Sequence, residues 1–380
     1  MEAYLDNAAT TFVFPEVKET MIKVMEEDFG NPSSLHKKGM DAESYIKEAK
    51  DTICSYLKVE AKEIVFTSGG TESNNMALLG AAYANRRRGN HIITTSIEHA
   101  SVYNPLIHLE EEGFHVTYLP VDEKGIVDID ALKNALCEDT ILVSIMMVNN
   151  EIGSVQPIEE IGTCIKAYKD SILFHVDAIQ AYGKFKIYPK RWKIDLLSVS
   201  GHKIHGPKGS GFLYIKDKTK ITPLLFGGGQ QKGMRSGTEN VPAIAGLSVA
   251  TKQMYEKQEQ HMAYMQGLKE RLIQGVSEIE GVYNHSGDAP HIISLSFVGV
   301  RSEVLLHALE EKGVYVSSGS ACSSNHPAIS GTLKAIGVPK ECLDSTLRFS
   351  LSVFTTEEEI DWAVQCLKEI VPVLRRFIRR

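Results

Sequence analysis

Paired cysteines are missing from this chain. Its six cysteines, Cys54, Cys137, Cys164, Cys322, Cys342 and Cys366, are scattered without a CxxC among them. That pattern argues against both a disulfide framework and a structural zinc site. No stretch approaches the ~18 uninterrupted apolar residues that a membrane span needs. The first residues, MEAYLDNAATT, show no basic run followed by an apolar one, so the expectation is a cytoplasmic protein with reduced thiols. Neither a P-loop nor a GxGxxG fingerprint occurs, which turns the reading away from nucleotide enzymes. Positive charge is also short: 41 Lys and Arg against 48 Asp and Glu leave a formal net charge of -7. Such a chain is not drawn as a whole to nucleic acid or to a membrane surface. Arg86-Arg87-Arg88 and the late arginines Arg375, Arg376, Arg379 and Arg380 are local exceptions, read as solvated helix ends or tails.

What is present is ordinary in composition, with 43% hydrophobic and 23% charged residues. A length of 380 residues exceeds one small core and predicts two domains. From about residue 13 to 255, short apolar runs alternate with helical patterns. Strands are expected at 64–67, 91–95, 116–119, 140–148, 172–176 and 196–199, and helices at 73–84, 101–112, 128–136 and 158–168. This alternation predicts a mainly parallel sheet covered by helices on both faces. Ligands of such sheets sit at the carboxyl ends of the strands. The polar punctuation falls there: Thr67 to Thr71, Glu98-His99, Asn149-Asn150, Asp177 and His202-Lys203. A long polar helix over 252–274 follows. Strands at 292–297, 314–316 and 347–350, with helices at 301–312 and 356–377, then suggest a smaller sheet. The reading therefore gives a large domain over 13–255 and a smaller α+β domain from 1–12 and 256–380.

Several motifs bear on chemistry. Ser200-Gly201-His202-Lys203 follows an apolar strand. A lysine there is most often a surface residue, yet a partly deprotonated amine in such a place can form an imine with an aldehyde cofactor. Asp177, closing an earlier strand, is either a helix cap or the partner of a protonated pyridine nitrogen. Gln180 lies near the same face and could donate to a ring phenolate. Ser68-Gly69-Gly70-Thr71 opens a helix, where small residues and free N–H groups suit a phosphate, although a plain capped turn looks the same. His99 could stack on a flat ring or serve as a structural histidine. The glycine-rich run from Gly227 to Thr238, with Lys232 and Arg235, suits an anion-binding loop better than a linker. Cys322 stands among small polar residues, Ser317 to Pro327, as an exposed reactive thiol would. His202 and His205 form an HxxH without acidic or cysteine partners, so no metal site is read from them.

Taken in order, these runs resemble the class I cysteine desulfurases, the NifS/IscS-like branch of the fold type I, class V aminotransferase-like enzymes. The motifs that carry the resemblance span nearly the whole chain. They include Leu5-Asp6-Asn7-Ala8-Ala9-Thr10-Thr11, Gly70-Thr71-Glu72-Ser73-Asn74, Asn149-Asn150-Glu151-Ile152-Gly153, Ser200-Gly201-His202-Lys203, Arg235-Ser236-Gly237-Thr238, Ser318-Gly319-Ser320-Ala321-Cys322 and Leu347-Arg348-Phe349-Ser350. The resemblance implies pyridoxal 5'-phosphate as cofactor, bound as a Schiff base to Lys203. Asp177 would pair with the pyridine nitrogen, His99 would stack on the ring and Gln180 would contact its phenolate. Gly70, Thr71, Ser200 and His202 would hold the phosphate, joined by Thr238 from a partner subunit, which implies a homodimer. Asn150 and Arg348 would grip the substrate carboxylate, for which a guanidinium fork is suited.

The implied reaction takes sulfur from L-cysteine, releasing L-alanine and leaving a persulfide on Cys322. An acceptor protein would then draw on it for iron–sulfur assembly, tRNA thiolation or another sulfur-containing cofactor. No resident metal is implied, beyond a transient ligation of an iron–sulfur cluster by Cys322. The cysteine-bearing loop is expected over about 317–333. A selenocysteine lyase, another aminotransferase-like enzyme and a non-catalytic sulfur carrier are the alternatives. Two departures stand out: Gly70 replaces the alanine of many relatives, and the residues after Cys322 differ from the familiar pattern.

Overall fold

A computed structural model gives the fold and describes residues 1–318 and 330–377. After strand β1 (Ala3–Tyr4) come helices α1 (Pro15–Glu26) and α2 (Lys37–Leu57). An alternating stretch follows: β2 (Ile64–Thr67), α3 (Gly70–Asn85), β3 (His91–Thr95), α4 (Ala100–Glu111), β4 (His115–Leu119), α5 (Ile129–Ala135) and β5 (Thr140–Met146). It continues through α6 (Ile158–Tyr168), β6 (Leu173–Asp177), β7 (Leu196–Ser200) and β8 (Gly211–Ile215). The remainder comprises α7 (Val241–Glu256), α8 (Gln258–Val276), β9 (Val282–Asn284), β10 (Ile292–Phe297) and α9 (Ser302–Glu310). Last come β11 (Val314–Tyr315), α10 (Gly331–Ala335), α11 (Lys340–Leu343), β12 (Thr346–Ser350) and α12 (Glu357–Arg375).

Strands β2 to β8 make one seven-stranded sheet in the order β2-β8-β7-β6-β5-β3-β4. β8 runs against both of its neighbours, and the other pairs are parallel. Successive strand residues face opposite sides, so each strand feeds two cores. Ile93, Val143, Phe174, Leu197 and Phe212 join the core that holds residues of α1, α2 and α7. Ile92, Leu142, Leu173, Leu196 and Leu213 enter the core shared with α3 and α4. Both faces are covered, which explains why the strands read as continuous apolar runs rather than alternating ones. A further core gathers Ala3 and Leu5 with residues of α8, β10, α9, β11, β12 and α12.

The fold departs from the sequence reading in several details. The helix expected over 252–274 is broken at Lys257 into α7 and α8. The two halves serve different cores: Leu247, Ala250 and Met254 pack into the first, whereas Met265, Leu268 and Leu272 pack with β10 and α12. β8 was not expected as a strand. β11 does not join the small antiparallel sheet β12-β10-β9 but pairs in parallel with β1. Finally, the loop expected to reach residue 333 gives way earlier, because Ser330 caps α10 through its hydroxyl, which accepts from the Leu333 N–H.

Candidate active site

The parallel strands share a carboxyl edge, and a cavity of about 250 Å³ opens there. Gly70, Thr71, His99, Asn150, Asp177, Gln180, Ser200, His202, Lys203 and Arg348 all line it. Thr238 does not: it is exposed and borders a separate cleft beside Ser68, Arg235 and Glu239. Cys322 lies outside the described residues.

Asp177 ends β6 and is 4% exposed. Its Oδ1 accepts the Ile179 N–H at 2.9 Å and its Oδ2 accepts from Asn74 Nδ2 at 2.8 Å. Burial raises its carboxyl above the usual range, while these two donors and the charges of His99 and Lys203 pull it back. Asn74, buried in α3, gives its other hydrogen to Ser101 Oγ at 2.9 Å, and Ser101 Oγ lies 2.8 Å from His99 Nδ1. His99 also caps α4, with Nδ1 accepting the Ser101 N–H at 3.1 Å. A nitrogen that accepts in this way leaves the proton of a neutral imidazole on Nε2. One network thus fixes both the aspartate and the histidine. Asn74 and Ser101 were not singled out in the sequence as network residues; only the fold shows that Asn74 is buried and must find partners.

Lys203 follows β7 in the short 3-10 turn Gly201–Lys203. Its Nζ donates to the carbonyls of Ala8 and Ala9 at 2.5 and 2.6 Å. Beneath it, Lys184 donates to the Lys203 carbonyl at 2.9 Å. Burial and the Lys203 charge lower the Lys184 amine to about 7. Gln180 Nε2 donates to the Ala8 carbonyl at 3.0 Å, and its buried Oε1 has no partner among the described residues. His202 shares a hydrogen bond with Thr10 Oγ1 at 3.2 Å; burial, then Lys203 and its neighbours, lower its imidazole to about 4.

Gly70 begins α3, and Gly69 before it has φ 145°. A Cβ on Gly70 would stand 2.2 Å from Ile179 Cδ1. The glycine therefore lets Ile179 press close, and an alanine there would need that side chain to move. The helix start presents unpaired N–H groups beside Ser200 and His202, an arrangement that favours an anion. The glycine-rich loop read as anion-binding already has one anion from within: Arg235 forks onto Glu72, Nε to Oε1 at 2.8 Å and Nη2 to Oε2 at 3.3 Å.

On the opposite wall, Arg348 of β12 is 4% exposed. Nη1 donates to the Asn150 carbonyl at 2.9 Å and Nη2 to Asp6 Oδ1 at 2.8 Å, leaving Nε buried without a partner among the described residues. Glu98, next to His99, accepts from Thr95 Oγ1 and the Met146 N–H, and burial pushes its carboxyl up to about 8.

The profile of the Aminotransferase class-V family matches residues 3–362, and the chain belongs to that family. It is 44% identical over 376 residues to a cysteine desulfurase IscS of Clostridium botulinum (strain Hall), covering 97% of this chain and 94% of that one. It is 46% identical over 375 residues to a cysteine desulfurase IscS of Methanosarcina thermophila, covering 98% and 92%. Among solved structures, a NifS-like protein superposes with a TM-score of 0.93 at 37% identity, covering 98% of this chain and 100% of that one.

Proposed function

We propose that this chain is a pyridoxal-phosphate-dependent cysteine desulfurase that converts L-cysteine to L-alanine and keeps the sulfur as a persulfide on Cys322. The reading is carried by the convergence of Lys203, Asp177, His99 and Gln180 on one cavity at the carboxyl edge of the sheet. These residues fit the cofactor. A buried carboxylate needs a cationic partner, which a protonated ring nitrogen supplies. The buried Gln180 Oε1 has no hydrogen-bond partner among the described residues, and the start of α3 with Thr71, Ser200 and His202 suits a phosphate. When bound, pyridoxal 5'-phosphate supplies an electron sink for a carbanion next to the amino group.

The protein's own groups do the rest. Lys203 anchors the cofactor and moves protons at the substrate carbons. Asp177, held by Asn74, would pair with the ring nitrogen and favour its protonated form, and His99, with its proton on Nε2, would face the ring from the same cavity. Arg348 and Asn150 hold the substrate carboxylate. The Cys322 thiolate forms an S–S bond to the substrate sulfur as the Cβ–S bond breaks. The electron pair stays with the carbon fragment, which takes up a proton to give alanine. The sulfur is oxidised to the sulfane level and Cβ is reduced, so no outside redox agent is needed. An acceptor protein then removes the sulfane sulfur.

We read the chain as two units, 13–255 and the remainder, in a homodimer to which Thr238 contributes across the subunit boundary. We place it in the cytoplasm; no helix among the described residues is long and apolar enough to cross a membrane. The deciding experiment adds L-cysteine to the cofactor-loaded protein and measures alanine and the persulfide on Cys322. Cys322→Ala should lose alanine formation by orders of magnitude while keeping the absorbance of the lysine-bound cofactor. Undiminished alanine formation in that variant would overturn the reading.

A further inference from the structure

Glu151 follows Asn150 in the turn after β5, yet unlike Asn150 it does not line the cavity. Ser330 Oγ donates to Glu151 Oε2 at 2.5 Å and Thr332 Oγ1 donates to Oε1 at 3.0 Å. Ser330 Oγ in turn accepts the Leu333 N–H at 3.0 Å as the cap of α10. One carboxylate therefore holds both the cap and the first turn of that helix. Burial is the main influence on this carboxyl and pushes it up, while the two hydroxyls and the charges of Arg348 and His99 draw it back. Apolar packing reinforces the joint: Ile152 forms a small separate core with Leu333 and Ile336.

The turn that carries Glu151 is itself braced. Asn149 Oδ1 accepts the Glu151 and Ile152 N–H groups, both at 2.9 Å, and Asn149 Nδ2 donates to the Ile97 carbonyl at 3.0 Å. The Asn150 carbonyl accepts from Arg348. On the other side of the cysteine-bearing stretch of sequence, Ser317 exchanges backbone hydrogen bonds with Arg348 at 3.1 and 2.7 Å. The two ends of that stretch are thus tied to neighbours of the same cavity wall, one by backbone pairing and one by Glu151.

We propose that Glu151 is a positioning residue for sulfur transfer: by holding Ser330 and Thr332 it fixes where the Cys322-bearing stretch rejoins the fold relative to Asn150 and Arg348. The inference rests on the desulfurase reading. Glu151 does not line the cavity, so its effect falls on the sulfur-transfer step rather than on cysteine binding. A misplacement of about 1 Å can cost ~10²-fold in such a step.

The test uses the full-length, cofactor-loaded protein as wild type, Glu151→Gln and Thr332→Val. Three quantities are read: kcat and KM for alanine formation, the cofactor absorbance change on adding L-cysteine, and the persulfide mass on Cys322. The expected result is a fall in kcat of about tenfold for Glu151→Gln and about threefold for Thr332→Val. KM should stay within about twofold, the absorbance change should be intact and persulfide should form more slowly. Thr332→Val preserves side-chain shape, so it carries the test if Glu151→Gln does not fold. Wild-type persulfide formation in the variants overturns the proposal. So does a raised KM with a lost absorbance change, which would assign Glu151 to Asn150 instead. If the wild type itself forms no persulfide, the desulfurase reading falls first, and this proposal falls with it.

Discussion

On the sheet side of the cavity, Asp177, Asn74, Ser101 and His99 come from elements packed directly together, and each is fixed by short hydrogen bonds to the next. On the opposite wall, Asp6, Asn150 and Arg348 meet from segments far apart, with 342 residues separating Asp6 from Arg348. The sheet side is therefore preorganised by directly packed, hydrogen-bonded elements, and its residues set the charge environment in which chemistry proceeds. The opposite wall depends on how distant parts are seated, and its residues set what is held and where. Substitutions on the two sides should differ in kind.

Asp177→Asn should show the largest effect. It removes the buried charge while keeping the shape, so kcat should fall on the order of 10²- to 10³-fold with the fold intact, as steady-state kinetics and a melting curve would show. A loss below about tenfold would mean that the sheet side is not the electronic half of the site. Arg348→Lys should come next. A lysine cannot reproduce the fork to Asp6 and Asn150, and KM for cysteine should rise on the order of tenfold or more, with a smaller change in kcat. An unchanged KM would leave Arg348 as a purely structural link.

The smallest effect concerns acid stability. His175, on the same strand as Asp177, is fully buried between Ser144 and Ser198, and burial lowers its imidazole to about 3. The unfolded chain binds that proton near pH 6.5 and the folded chain does not, so stability should fall as pH drops from about 6.5 towards 3. His175→Gln should flatten this limb of the melting temperature against pH. A limb of unchanged steepness would show that other groups govern it.

The sheet side was largely legible in the sequence, since Asp177 ends an apolar strand and His99 and Lys203 each follow one within a few residues, and strand ends are a local pattern. The connections between them were not. Asn74 looks like any helix residue until its two hydrogens are seen to bridge Ser101 and Asp177. The opposite wall was legible only as residue names. Arg348 stood out, but nothing near it in sequence names Asp6 as its partner, and nothing near Glu151 names Ser330. The Gly211–Ile215 run is apolar enough for a strand, but its reversed direction comes from pairing with β2 and β7. The break at Lys257 is likewise invisible, because neither Glu256 nor Gln258 is a helix breaker; two separate cores impose it.

The carbonyls of Ala8 and Ala9 that receive Lys203 lie in a segment pinned by residues from the far end of the chain. Asp6 bridges Ser350, Ala8 N–H donates to Ser350 Oγ, and Asn7 donates to the Ser350 carbonyl. Residues 6 to 8 must therefore wait for residue 350 before they can settle. Contacts of such long sequence separation close late in folding. The cavity should thus acquire its binding competence only once residue 350 has been made and seated. Nascent chains that already possess the whole large sheet, but not residue 350, should be slow to retain cofactor.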